Sequence, residues 1–249
     1  LCRLHLWNIL NVFNKKETMK KIYLTLILVC TNLQAQINIY SHRHYDSDKI
    51  LFKKFTDQTG IKINVIKGSA DQLIERLISE GGNSPADILF TVDAGRLHRA
   101  KVAGILQPIE SKILSENIPP SMRDEDDYWF GLTVRARVLV YSKERVTPDQ
   151  LSTYEDLANR KWRGKIAVRS SSNIYNQSLM ASIIASNGSR KALTWAKSIR
   201  KNMARAPRGS DRDQARAVAA GLADVAIMNT YYLGILANSP DAKDREVFK

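Results

Sequence analysis

The sequence predicts an α/β protein built on open sheets flanked by helices. Short runs of strand length recur along the chain, some alternating polar and apolar, some continuously apolar. Amphipathic runs of helix length stand between them. Gly, Pro or a capping residue marks most junctions. Alternation of this kind is the mark of sheets covered by helices.

Gln36–Ser41 alternates and reads as a strand. Asp46–Thr59 carries Ile50, Leu51, Phe52 and Phe55 at helical spacing and stops at Gly60. Its Asp46 and Asp48 read as caps and dipole partners. Ile61–Lys67 alternates again. Ser69 caps a helix with Leu73, Ile74, Leu77 and Ile78 as its buried stripe. Asp87–Val92 is continuously apolar after its Asp, the pattern of a strand covered on both faces. A short helix, Ala94–Ala103, stops at Gly104, and an acidic loop at Asp124–Asp127 leads into Tyr128-Trp129-Phe130-Gly131.

Leu132–Tyr141 reads as one long strand bearing Arg135 and Arg137 on alternate positions. A helix is expected over Leu151–Ala158, a strand over Lys165–Val168, and helices over Tyr175–Asn187, Ser189–Met203 and Asp211–Ala220. Ala223–Met228 is another buried strand, and Asp244–Lys249 an element just starting. The composition never shifts sharply, so the division is placed where the long strand crosses: residues 36–133 form one lobe and 134–249 a second.

The N-terminal residues read differently. Met19 opens a positive Lys20-Lys21 pair, an apolar run Ile22–Cys30 and a polar stretch to Ala35, the layout of a secretory signal peptide with cleavage after Ala35. Residues 1–18 then read as sequence upstream of the true start. A nine-residue apolar run is far short of the ~20 that a membrane span needs. Val29 is too large for the lipid-attachment motif that Cys30 would otherwise suggest. Both cysteines lie before the cut, so no disulfide framework or thiolate zinc site follows.

Of the 249 residues, 44% are apolar, enough to bury a core, and the net charge is +13, or +9 after residue 35. The charges are scattered, with no block of five and no aromatic-basic stripe, so nucleic-acid binding is disfavoured, the more so in a secreted chain. No H-E-x-x-H, G-x-S-x-G, P-loop or facial His-His-carboxylate triad appears, which leaves no support for an enzyme.

Tyrosines carry the chemistry. His44-Tyr45 follows the first strand, Tyr175 follows Arg169–Ile174, and Tyr231-Tyr232 follows the strand ending at Met228. All lie after C-terminal strand ends, where open α/β sheets bind ligands. A phenol is neutral at physiological pH, but a trivalent cation displaces its proton and gains a hard anionic oxygen. Such a donor suits Fe(III) rather than softer ions. Four phenolates around Fe(III) carry a net −1, which Arg43 or Arg169 is placed by sequence to offset. Each tyrosine is equally readable as a packing aromatic with a satisfied hydroxyl, and residue typing leaves both readings open.

Three ordered motifs resemble one family. They are Ser41-His42-Arg43-His44-Tyr45-Asp46-Ser47-Asp48, Ser171–Ser178 around Tyr175, and Asn229-Thr230-Tyr231-Tyr232-Leu233-Gly234. With Ala86–Leu97, Trp129–Thr133 and Lys161–Lys165 they resemble the ferric-iron-binding proteins of bacterial ABC importers, the Fut-type subgroup of cyanobacteria in particular. The likeness runs from about Ile37 to the end.

The resemblance implies a two-lobed type II periplasmic binding protein, each lobe an open mixed sheet. It implies a monomer that closes on Fe(III) in a cleft and delivers it to a permease with a cytoplasmic ATPase, meeting the membrane only through that permease. His44, Tyr45, Tyr175, Tyr231 and Tyr232 would be the ligands. Related subfamilies add a glutamate and a bound anion, and the tyrosine-rich pattern implies that none is needed here. Family members continue past a segment like Asn229–Lys249, so the second lobe is expected to be incomplete. The alternative is the same fold holding a polyamine, phosphonate or sulfate, which would not need so many tyrosines.

Overall fold

A computed structural model describes residues 35–43 and 45–248. The expected signal peptide, apart from Ala35, lies outside the described residues, and so do residues 1–18 and His44. The chain forms two compact units, one ending at Val92 and the other running from Asp93 to Lys249. The boundary expected at 133/134 falls inside the second unit.

The first unit holds β1 (Gln36–Ser41), α1 (Asp46–Thr59), β2 (Lys62–Lys67), α2 (Ala70–Glu80) and β3 (Ile88–Phe90). Its sheet is wholly parallel with β1 central, in the order β2-β1-β3. The chain crosses to one side of β1 and then to the other, so the loop after β1 sits at a topological switch point. β1 buries Ile39, Tyr40 and Ser41.

α2 lays Ala70, Leu73, Ile74 and Leu77 into this core, while Ile78 is exposed. It starts at a reciprocal cap: the Gln72 amide bonds to the Ser69 hydroxyl, and the Gln72 side chain accepts from the Ser69 backbone. α1 occupies the expected residues and ends at Gly60 with φ 71°. Its apolar stripe is not the expected one. Ile50 and Leu51 are exposed, Phe52 and Phe55 half-buried, and the one buried residue is Asp48. Asp48 does not cap the helix; it takes two hydrogen bonds from Arg43, at 2.9 and 3.0 Å. β3 is shorter than expected and lies at the sheet edge, where Ile88 is exposed, so it is not covered on both faces.

The second unit holds α3 (Ala94–Val102), α4 (Lys112–Asn117), β4 (Arg137–Tyr141), β5 (Ile166–Ala167), α5 (Ile174–Asn187), α6 (Ser189–Asn202), α7 (Asp211–Ala219), β6 (Val225–Asn229), α8 (Tyr231–Ala237) and α9 (Ala242–Phe248). Its sheet runs β4-β6-β5, with β6 antiparallel to β4 and parallel to β5.

Every residue of β6 is buried, and alternation splits them between two layers. Val225 and Ile227 join Leu157, Trp162, Ile183, Ala192 and Ile199 on the side of α5 and α6. Ala226 and Met228 join Ala215, Ala217, Val218 and Leu236 on the side of α7 and α8. A sheet between two helical layers is thus present as expected.

The long strand is cut short. β4 begins only at Arg137, and Leu132 and Val134 are exposed. Its partner β6 ends at Asn229 and turns into α8, so residues before Ala136 have no strand to pair with. The expected helix over 151–158 is replaced by short 3₁₀ turns at Pro148–Gln150, Glu155–Ala158 and Arg160–Trp162. The Asp156 carboxylate accepts from the amides of Ser152 and Thr153, a local bond that competes with helix extension.

Candidate metal centre

The second unit gathers its polar residues at one end of the sheet. β5 and β6 are parallel, and Tyr175, Tyr231 and Tyr232 all follow their C-terminal ends. β4 runs the other way, so its first residue, Arg137, lies beside Asn229 at that same end.

Tyr175 enters the first turn of α5, where the Asn173 carboxamide caps its backbone amide at 3.0 Å. Tyr231 and Tyr232 open α8 directly after β6, with ring centroids 4.3 Å apart. The Tyr231 phenol lies close enough to those of Tyr232 and Tyr175 to interact with both. Three phenols from two segments, the start of α5 and the start of α8, are thus near neighbours.

Burial pushes the Tyr231 phenol well up, and the neighbouring Tyr232 and Tyr175 phenols add to the rise. Burial also raises Tyr232, against the opposing pull of the adjacent Tyr231 phenol and the Arg169 charge. Without a cation, these phenols hold their protons.

The wall behind them is cationic. The guanidinium carbons of Arg135, Arg169 and Arg137 stand 4.5, 5.6 and 5.9 Å from the Tyr175 ring centroid. Arg135 is met by Asp93 at 2.6 Å, and Asp93 also accepts from the Ser178 hydroxyl at 2.6 Å and the Gly95 amide at 3.0 Å. Asp93 holds this position with φ 80°, a costly conformation for a non-glycine residue that these bonds over-determine.

Arg137 and Arg169 share one carboxylate. Asp211, completely buried at the start of α7, accepts from Arg137 at 2.9 Å, Arg169 at 3.3 Å and the Asn229 amide at 2.9 Å. Arg137 reaches on to the side-chain oxygens of Asn229 at 3.0 Å and Asn176 at 2.7 Å. Asn176 in turn donates to the Arg169 carbonyl at 2.8 Å. The triad thereby ties the start of β4, the loop after β5, α5, the end of β6 and α7 together around the tyrosines.

Two guanidiniums against one carboxylate leave a formal surplus of +1. Among the described residues, Arg137 Nε, Arg169 Nε and Asn229 Nδ2 are buried without an acceptor. The pocket wall is rich in donors and poor in acceptors, an environment suited to anionic oxygen.

Of the residues singled out in the sequence, Tyr175, Tyr231 and Tyr232 meet. Tyr45, in the first unit, precedes α1 at the switch point, with Arg43 standing 5.1 Å from its ring centroid. Arg43 does not supply a free counter-charge, because Asp48 pairs with it. Arg169 does belong to the cluster. Among the described residues no group of three or more His, Cys, Asp or Glu is arranged to hold a metal.

Arg137, Asp211, Asn176 and Asn229 escaped the sequence reading. The usable signal was the Arg135 and Arg137 pair on a largely apolar strand, since a charge facing a core requires a partner.

Residues 83–244 match the family model described as bacterial extracellular solute-binding protein. The chain is 52% identical over 214 residues to iron uptake protein A1 of Synechocystis, covering 86% of this chain and 59% of that one. It is 26% identical over 211 residues to the major ferric iron-binding protein of Neisseria meningitidis, covering 83% and 62%. The structure is similar to a Trichodesmium FutA (IdiA) solved in complex with iron and citrate ligands, at TM-score 0.83 and 54% identity, covering 86% of this chain and 68% of that one. The chain spans about 60% of the length of the two Synechocystis iron uptake proteins it matches.

Proposed function

This chain belongs to the bacterial extracellular solute-binding protein family, and on that premise we propose that it captures ferric iron outside the cytoplasm as the non-catalytic binding subunit of an ABC importer. The observation that carries this reading is the grouping of Tyr175, Tyr231 and Tyr232 beside the Arg137–Arg169–Asp211 triad. His44 and Tyr45, on the loop after β1, are the proposed remaining ligands.

The charges close. Fe(III) with the phenolates of Tyr45, Tyr175, Tyr231 and Tyr232 carries −1, and the triad carries +1. A neutral assembly removes most of the penalty of holding ionised tyrosines out of water. Each phenolate formed releases a proton, so binding is tied to pH. An organic cation or an oxyanion would not need phenolate donors, and the relatives above bear iron-uptake and ferric-iron-binding names.

Delivery to a membrane permease driven by an ATPase, export through the residue 19–35 signal and action as a monomer complete the proposal. The test is a visible absorption titration with ferric citrate. A tyrosinate-to-iron charge-transfer band is expected, and it should be lost in Tyr231→Phe/Tyr232→Phe. A folded protein that gives no band, or a band unchanged in that variant, would refute the assignment.

A further inference from the structure

The second unit carries a surface that the iron reading does not use. α6 has five cations and no acid: Arg190, Lys191, Lys197, Arg200 and Lys201, all exposed. Its inner side is fixed. Ala192 and Ile199 are buried in the core, the Trp195 indole donates to the Tyr154 carbonyl at 2.6 Å, and the Asn202 amide donates to the carbonyls of Leu157 and Asn159 at 2.8 and 2.9 Å.

At 100° per residue, Arg190, Lys197 and Lys201 fall within a narrow sector opposite Ala192, with Arg200 at its margin. Leu193 stands among them, 53% exposed. The segment Arg160–Lys165 adds four more exposed cations and no acid. It is joined to the end of α6 by the Lys165 amide on the Asn202 carbonyl at 3.1 Å. Of these nine side chains, only Lys165 has a carboxylate partner among the described residues, Asp224 at 3.0 Å.

The two acids nearest in sequence accept hydrogen bonds from neutral groups, although Asp156 also feels the Lys161 charge. Glu155 accepts from Asn187, and Asp156 from the Ser152 and Thr153 amides.

We propose that the outer face of α6, with Arg160–Lys165, docks on an anionic phospholipid surface. A rigid helix lying flat, with spread cations and an apolar side chain among them, fits a plane of phosphates. An acidic protein partner would call for a shaped, partly apolar patch with aromatic anchors, and this face offers neither. Among the described residues no helix is long and apolar enough to cross a membrane. The inference goes beyond the iron reading and does not depend on it, and it adds a lipid contact to the one expected through a permease.

The test is vesicle flotation of the whole chain, at low salt, with phosphatidylcholine vesicles containing or lacking phosphatidylglycerol. Binding is expected only to the anionic vesicles and should fade as salt shortens the screening length. Lys197→Gln/Lys201→Gln should weaken it by about thirtyfold, from the typical contribution of a lysine near such a surface. Lys54→Gln/Lys62→Gln, which removes equal charge from exposed sites in the first unit, should change it less than twofold.

Equal loss in both variants would mean that net charge alone acts, and would overturn the proposal. So would failure to bind anionic vesicles, including the case in which polyglutamate binds the same face. None of these outcomes bears on the charge-transfer band.

Discussion

Asp211→Asn isolates the buried charge triad. The substitution keeps the shape and an acceptor oxygen but removes the one carboxylate that, among the described residues, pairs with Arg137 and Arg169. The side chains of Arg137 and Arg169 are 9% and 18% exposed, and that of Asp211 is 0%. Breaking such a pair by deleting one partner costs about 3–5 kcal/mol, because the stranded charge is still out of water. Against a total stability of ~5–15 kcal/mol this is a large fraction.

The assay is equilibrium urea unfolding. With a slope of about 2 kcal/mol/M, the midpoint should fall by roughly 1.5–2.5 M. Arg169→Gln added to Asp211→Asn should recover part of the loss, since one guanidinium then faces no second cation. A midpoint shift below about 0.5 M for Asp211→Asn would refute the reasoning, because water would then be solvating the triad.

Other outcomes follow from the same geometry. Iron affinity should fall with pH, because each of the four proposed phenolates takes up a proton as iron leaves; a pH-independent affinity between mild acid and neutrality would contradict phenolate ligation. In the metal-free protein the sign reverses for stability. Tyr231 and Tyr232 have raised folded values, so their contribution is complete below the ordinary phenol value of ~10 and is lost as pH climbs above it, which alkaline unfolding would record. Gly209→Ala should cost about 2–3 kcal/mol by urea unfolding. The residue has φ 74°, and a Cβ there would lie 2.7 Å from the Asp213 carboxylate that caps α7.

Much of this was legible in the sequence. Strand and helix positions near the site follow from periodicity and caps, as the exact extent of α1 and the close match of α5 show. Three of the tyrosines were placed correctly at one sheet end, because parallel strands send their following loops there. What failed depended on partners distant in sequence. Residues 132–136 look like strand, but their neighbour β6 has already ended. Ile50 and Leu51 have the spacing of a buried stripe, yet Asp48 is the residue turned inward, to meet Arg43.

The counter-charge was misassigned to Arg43 alongside Arg169 for a similar reason. Nearness along the chain favoured it, whereas Arg137 and Asp211 reach Arg169 only through the sheet. Asp211 read as an ordinary residue opening a helix. Its complete burial between two arginines is a tertiary fact that no local pattern carries.

The central claim is that Tyr175, Tyr231 and Tyr232 bind ferric iron as phenolates. Resonance Raman spectroscopy of the iron-loaded chain, excited within the charge-transfer band, tests it most directly. Enhanced phenolate ring modes are expected, shifting when the tyrosines carry ring deuterium and weakening stepwise in the single Phe variants at positions 175, 231 and 232. Iron bound tightly with no enhanced phenolate modes, or with modes unchanged in all three variants, would contradict the account.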